Sequence, residues 1–178
     1  MDESTAEQWA VIGAATVKNQ GRVAGRVLDM LRSLSDIVDG FATDQLTHCL
    51  QAATLAQRAG ADDEVVVASL CHDIGKAVSV PNHPRIAAEI LRPYVCDSVY
   101  KMVLLHQDFQ GRHYFAHFGY DANARDQHRT HLTPEVFALC ERFADEWDQV
   151  AFDPDGPTHP LEHFEPLVRK IFARARML

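Results

Sequence analysis

Apolar residues recur along this chain at spacings of three and four, the signature of helices with one buried face. No stretch alternates strictly between apolar and polar for long enough to predict a strand. Residues 1–20 predict an amphipathic helix, with Trp9, Val11, Ile12 and Val17 as its apolar side and Asn19-Gln20-Gly21 at its end. A second helix from about Arg22 sets Val23, Val27, Leu28, Leu31 and Leu34 on one face, and Asp39-Gly40 breaks it. Thr43 or Asp44 caps a third, which runs to Arg58 and is closed by Gly60; its alanines predict close helix packing. Asp62 or Asp63 caps a fourth, whose apolar run 65–70 leads into Cys71-His72-Asp73. Asn82 or His83 then stands near an N-cap with Pro84 in the first turn. The short helix over 84–92 turns Ile86, Ala87, Ile90 and Leu91 inward, and Asp97-Ser98 opens another over 99–106. Thr133-Pro134-Glu135 is a strong start, with a capping hydroxyl, a proline and an acid near the positive end of the dipole. That helix carries Phe137, Leu139, Phe143 and Trp147; 152–157 is a turn, and a last amphipathic helix runs from Leu161 to about Arg174.

The expected fold is therefore all-α: one helical bundle over 1–178 with its core at about 44–170 and the N-terminal helices 1–40 packed on it. The segment 107–131 breaks the pattern. It mixes aromatics with polar and basic groups, from Gln107 through Phe109, Tyr114, Phe115, Phe118 and Tyr120, and then becomes a polar run. That is a poor core segment and a good cavity wall or lid.

A length of 178 residues suits one domain with a substantial core. The net charge of −8, with no dense basic stripe, excludes a nucleic-acid-coating surface. Cys49, Cys71, Cys96 and Cys140 form no CxxC pair and read as small core hydrophobes in a reducing compartment. With no membrane-spanning run and no signal-peptide pattern, the expectation is a cytoplasmic protein that engages no membrane.

The candidate chemistry starts at Ser69-Leu70-Cys71-His72-Asp73-Ile74-Gly75-Lys76. An apolar lead-in places a carboxylate at the buried end of a helix, which is costly without a cation. A metal ion is the natural partner of an adjacent imidazole and carboxylate, and one carboxylate can bridge two ions. Lys76 lies one turn beyond His72 and can direct a second cation to the same cavity, while Gly75 permits a close backbone approach or a helix end. His48, His83, His106 and either Asp145 or Asp148 complete the set of ligand-type residues on helices.

This order, His48, His72-Asp73, His83, His106 and a late aspartate, resembles the HD-domain superfamily of metalloproteins in its dinuclear branch, over roughly residues 44–170. The resemblance implies that Asp73 bridges two ions, with His48, His72 and the late aspartate on one and His83 and His106 on the other. Within that branch the chain is similar to the HD-type di-iron oxygenases that act on myo-inositol and on 2-amino-1-hydroxyethylphosphonate. Residues 45–51 and 56–62 are similar to the phosphonate enzyme's first ligand helix. Trp147-Asp148, followed by Pro160, Glu162 and His163, matches its last-ligand segment and favours Asp148; the commoner superfamily pattern, Ala-Asp, would select Asp145 within Ala144-Asp145. Lys76 replaces the second histidine of the phosphonate enzymes and is shared with myo-inositol oxygenase and with HD phosphohydrolases. No Tyr or Glu just upstream of His48 matches the phosphonate enzyme's gating pair.

The resemblance implies an oxygenase holding two iron ions (Fe2+/Fe3+), or Mn2+ or another divalent metal, and using O2 to cleave a C–P or C–C bond of a small hydroxylated substrate. Asp73 and Lys76 would be catalytic, and Lys76, Gln110, Arg112 and His113 would contact the substrate. The alternative is a metal-dependent phosphohydrolase acting on a nucleotide or other phosphate ester. A third reading is a non-catalytic domain that keeps metal as a staple or senses a ligand.

Overall fold

The computed structural model describes residues 1–173 and 175. It is helical throughout, with no strand among the described residues. The α-helices are α1 (Ala6–Gln20), α2 (Val23–Ser33), α3 (Gln45–Arg58), α4 (Asp63–Cys71), α5 (His83–Leu91), α6 (Asp97–Gln110), α7 (Pro134–Arg142) and α8 (Leu161–Phe172). Arg174, where the pattern ends the last helix, lies outside the described residues.

The centre of the bundle is the pair α3 and α4. Asp44 opens α3 by accepting the Thr47 N–H at 2.9 Å, and Ala52, Ala53 and Ala56 are fully buried, which lets α4 lie close. In α4 every residue from Val65 to Cys71 is buried, so beyond Asp63 and Glu64 the helix has no wet face. Helices α5 and α6 pack on each other, and α6 also packs on α7, while α8 packs on α4 and α2 packs on α8. Fully burying side chains such as Leu28, Leu31 and Leu34 contributes about 1.5–3 kcal/mol each. Cys49, Cys71 and Cys140 are buried free thiols. No helix among the described residues is long and apolar enough to cross a membrane.

Several elements differ from the pattern. Helix α1 forms, with a complete capping box at Thr5 and Gln8, but none of its residues is buried. Its apolar residues do not share a face: at roughly 100° per residue, Val11 lies about 200° round from Trp9 and Val17 about 80°. Trp9 is accordingly 47 % exposed. In α5, Ala87, Ala88 and Leu91 are buried, while Ile86 and Ile90 are only half-buried. Helix α6 starts earlier and runs to Gln110, with Cys96 as its N-cap and the Cys96 N–H donated to Glu64 Oε2 at 2.7 Å. The expected lid breaks into short 3-10 turns at Gly111–His113, Phe115–Phe118 and Ala124–Thr130.

Candidate metal centre

Six side chains reach one buried point from five stretches of the chain. His48 stands at the end of the first turn of α3 and is fully buried. His72 still has helical backbone at the end of α4, whereas Asp73, at φ −101° and ψ 5°, has left the helix. That break lets two consecutive side chains serve one cavity. His83 is the first residue of α5, and His106 lies in the last turn of α6. Asp148 is delivered by a π-helical turn, Phe143–Asp148, that continues α7, with the Gln149 N–H bonded to the Ala144 carbonyl at 3.0 Å. The wide turn buries Ala144 and Asp148 and leaves Asp145 half-buried on the outer side.

The histidines are oriented alike. Nδ1 of His48 meets the Ala151 carbonyl at 2.9 Å, and Nδ1 of His72 meets that of Ser69 at 2.8 Å. The Nδ1 atoms of His83 and His106 meet the carbonyls of Val80 and Val103, both at 2.7 Å. A carbonyl can only accept, so each Nδ1 carries a proton and donates it, and each Nε2 is turned inward as a potential ligand atom.

Those inward nitrogens form two pairs, His48 with His72 at 3.0 Å and His83 with His106 at 3.2 Å. Asp73 lies between the pairs. Its Oδ1 is 3.0 Å from His83 and 3.4 Å from His106, and its Oδ2 is 3.7 Å from His48 and 3.6 Å from His72. Asp148 Oδ1 stands 3.2 Å from His48 and 3.4 Å from His72, while its Oδ2 is buried without a hydrogen-bond partner.

Acceptor facing acceptor is unfavourable unless positive charge lies between them, and a buried carboxylate oxygen without a donor is more costly still. The electrostatics agree. Burial disfavours the imidazolium of His72, yet the carboxylates of Asp73 and Asp148 outweigh it and hold the pKa well above the ordinary histidine value. Burial likewise opposes the ionised form of Asp73 and Asp148, and is overcome chiefly by His72, so both carboxyls stay below the usual carboxylate range. The residues fit metal binding: His48, His72 and Asp148 form one set of ligand atoms that could hold an ion, and His72, Asp73 and His106 another. Imidazole nitrogen with carboxylate oxygen suits iron, manganese or zinc.

A cavity of about 610 Å³ opens onto Asp73 and His83. Lys76 lines it, with Nζ 2.8 Å from Asp73 Oδ2 and donating to Gln45 Oε1 at 3.0 Å. Gln110 lines it and donates from Nε2 to Asp148 Oδ1 at 2.8 Å. His113 lines it too, but its Nε2 is engaged with Asp145 Oδ1 at 2.8 Å. Arg112 is exposed and is not among the cavity-lining residues, because Gly111–His113 is a tight turn that sends neighbouring side chains different ways.

Sequence reasoning missed Asp39, Phe41, Gln149 and Phe152, which line the cavity; Gln107, within the stretch expected to form a cavity wall, lines it too. Phe152 stacks on His48 at 4.0 Å and on Phe41 at 4.1 Å. A loop aromatic four residues before Gly156-Pro157 carries no periodic signal. Its placement comes from α3, where Gln51 Nε2 donates to the Asp153 carbonyl at 2.6 Å.

The two late aspartates separate cleanly. Asp145 accepts from Arg125 Nη1 at 3.1 Å with both oxygens and lies outside the histidine cluster. Asp148→Ala is expected to remove one of two bound metal ions, measured by elemental analysis. Asp145→Ala should leave metal content unchanged and lower stability by about 1–2 kcal/mol through the lost bond to a buried arginine.

The family model described as the HD domain matches residues 46–153, a span that contains all six converging side chains. No curated protein matches the chain.

Proposed function

Because the chain belongs to the HD-domain family, we propose that it is a metal-dependent enzyme built on a dinuclear centre, and specifically a mixed-valence di-iron oxygenase. Its reaction would cleave a C–C or C–P bond of a small hydroxylated substrate with O2. The observation that carries this reading is the division of Asp73, with one oxygen toward His83 and His106 and the other toward His48 and His72. A carboxylate so divided can bridge two ions, with Asp148 completing the first set.

When bound, the iron pair would supply electrons to O2 and Lewis acidity toward a chelating hydroxyl. The chain's residues do the rest. Lys76 fixes Asp73 Oδ2 and presents its ammonium to the cavity. Gln110 holds Asp148 Oδ1 from the cavity side, so a substrate that displaces the Gln110 amide also touches the support of a ligand. Phe41, Phe118 and Phe152 at the cavity wall limit water around the reacting carbon.

Phosphate-ester hydrolysis would favour cations around the phosphoryl group besides the metals. The lysine or arginine side chain lining the cavity is Lys76, already held by Asp73, which supports the oxygenase over the hydrolase. The test is metal analysis of protein produced with iron, with EPR after partial oxidation and ascorbate treatment. Two irons per chain, a mixed-valence signal below g = 2 and its perturbation by a polyol or hydroxyphosphonate are the expected results. Turnover of phosphate esters with manganese or zinc, and no such signal, would make the protein a hydrolase.

A further inference from the structure

Away from the buried centre, another pair of histidines meets nitrogen to nitrogen. His128 and His131 stand three residues apart at the end of the 3-10 turn Ala124–Thr130, a spacing at which side chains of such a turn lie over one another. The His131 N–H bonds to the His128 carbonyl at 3.3 Å. The two rings cross at 80° with centroids 5.1 Å apart, and Nδ1 of His128 is 3.1 Å from Nε2 of His131.

The tautomer of each ring follows from what its other nitrogen touches. Nε2 of His128 lies 2.8 Å from Asp108 Oδ2. An ionised carboxylate only accepts, so Nε2 carries the proton, and in the neutral ring Nδ1 is a bare acceptor. Nδ1 of His131 lies 3.4 Å from the Thr130 hydroxyl. That hydroxyl donates its single proton to the Gln127 carbonyl at 3.1 Å. Toward His131 it therefore accepts, and Nε2 of His131 is left bare as well. Two lone pairs that face each other are unfavourable unless a cation lies between them. A tetrahedral zinc ion sets two imidazole nitrogens about 3.3 Å apart, close to the separation observed.

The surroundings fix this geometry. His128 is buried and its ring stacks on that of Phe109 at 5.8 Å. Asp108 behind it gives the carboxylate–histidine pairing that orients metal-bound imidazoles. His131 is exposed, so the remaining coordination positions open to water. Among the described residues no third His, Cys or carboxylate converges with these two nitrogens, so an ion here is held less tightly than in the buried centre.

We propose that His128 and His131 form a separate, mononuclear site for a nitrogen-preferring divalent ion of the zinc class, oriented by Asp108. The ion ties the turn Ala124–Thr130 to α6, the helix that carries both Asp108 and the candidate ligand His106. Imidazole suits zinc, copper and nickel, and the ion reaches this site from solvent without passing the cavity. The inference does not rest on the reaction proposed for the buried centre.

The test is equilibrium dialysis of the full chain against buffered micromolar zinc, with the bound metal counted by elemental analysis. The wild-type protein is expected to hold one zinc ion per chain more than His131→Ala does, whatever number the buried centre takes in both. The exposed His131 ring can be removed without disturbing the core, so the metal-free melting temperatures of the two proteins should agree. Asp108→Asn keeps an oxygen acceptor for His128 but loses its charge. It should retain the extra ion with affinity weakened about 10–100-fold, while the tighter ions of the buried centre are unaffected. Adding zinc beyond saturation of the buried centre should raise the melting temperature of the wild type further, and not that of His131→Ala. Equal zinc counts in wild type and His131→Ala at every zinc concentration would overturn the proposal and leave a shared proton between the rings. An extra ion that His131→Ala retains would overturn it too, since that ion is bound elsewhere. Unchanged zinc affinity in Asp108→Asn would remove the orienting role assigned to Asp108.

Discussion

Asp73→Ala is expected to empty both halves of the centre, taking metal content from two ions per chain to well below one. No other substitution reaches both sides, since only Asp73 directs oxygens to both histidine pairs. Once it is gone, His83 and His106 have no carboxylate among the ligand-type contacts they make, and two neutral imidazoles bind a divalent ion weakly. The first set keeps Asp148 but loses one of two negative charges. Lys76 loses its 2.8 Å partner and is left with Gln45 and the distant Asp39. Breaking one side of a buried ion pair costs about 3–5 kcal/mol, so thermal unfolding of metal-free protein should also show the change. Asp73→Asn separates the two effects. The amide keeps the shape and one oxygen but cannot offer two anionic ligands, so retention of a single ion is expected. Full metal content in Asp73→Ala would mean that Asp73 does not bridge.

Much of this was legible because local signals and tertiary placement agree. Asp44 and Thr133 cap their helices as their sequence contexts imply, and the apolar run 65–70 is buried as a whole. His48, His72, Asp73, His83, His106 and Asp148 stand where those helices deliver them, so reading the helices already assembled the cluster. The choice between Asp145 and Asp148 could not come from periodicity. A π turn inserts a residue into the helical count without a mark of its own, and here it turns Asp148 inward while Asp145 meets Arg125. Arg112 and His113 looked alike in a basic aromatic stretch, yet the turn at Gly111 brings only His113 to the cavity. Asp39-Gly40 read as the breaker of the second helix, yet α2 ends at Ser33 and a 3-10 turn at Asp36, before that pair is reached; that the Asp39 carboxylate faces the cavity depends on contacts far along the chain.

Gly75→Ala should have the second large effect, and its sign discriminates between two roles for this glycine. Gly75 does not have positive φ, so its conformation is open to alanine. Alanine there would gain about 0.4–1 kcal/mol from a less flexible unfolded chain. Against this, a Cβ on Gly75 would lie 2.3 Å from the His83 carbonyl oxygen and 2.7 Å from its Cα. Those are backbone atoms, which cannot rotate away as a side-chain tip can. Overpacking of this kind costs about 1–3 kcal/mol, so the net effect is destabilising. It is also aimed: the displaced residue is itself a candidate ligand, held by the Val80 carbonyl at 2.7 Å and facing Asp73 at 3.0 Å. Moving the start of α5 outward would pull His83 from Asp73 while leaving His48, His72 and Asp148, which come from other elements, in place. The expected result is one metal ion per chain instead of two, together with a lower melting temperature in the metal-free protein. A higher melting temperature with both ions retained would show that α5 yields freely and that the glycine serves only to end α4. The close packing of α5 on the His-Asp turn would then have no part in setting the second site.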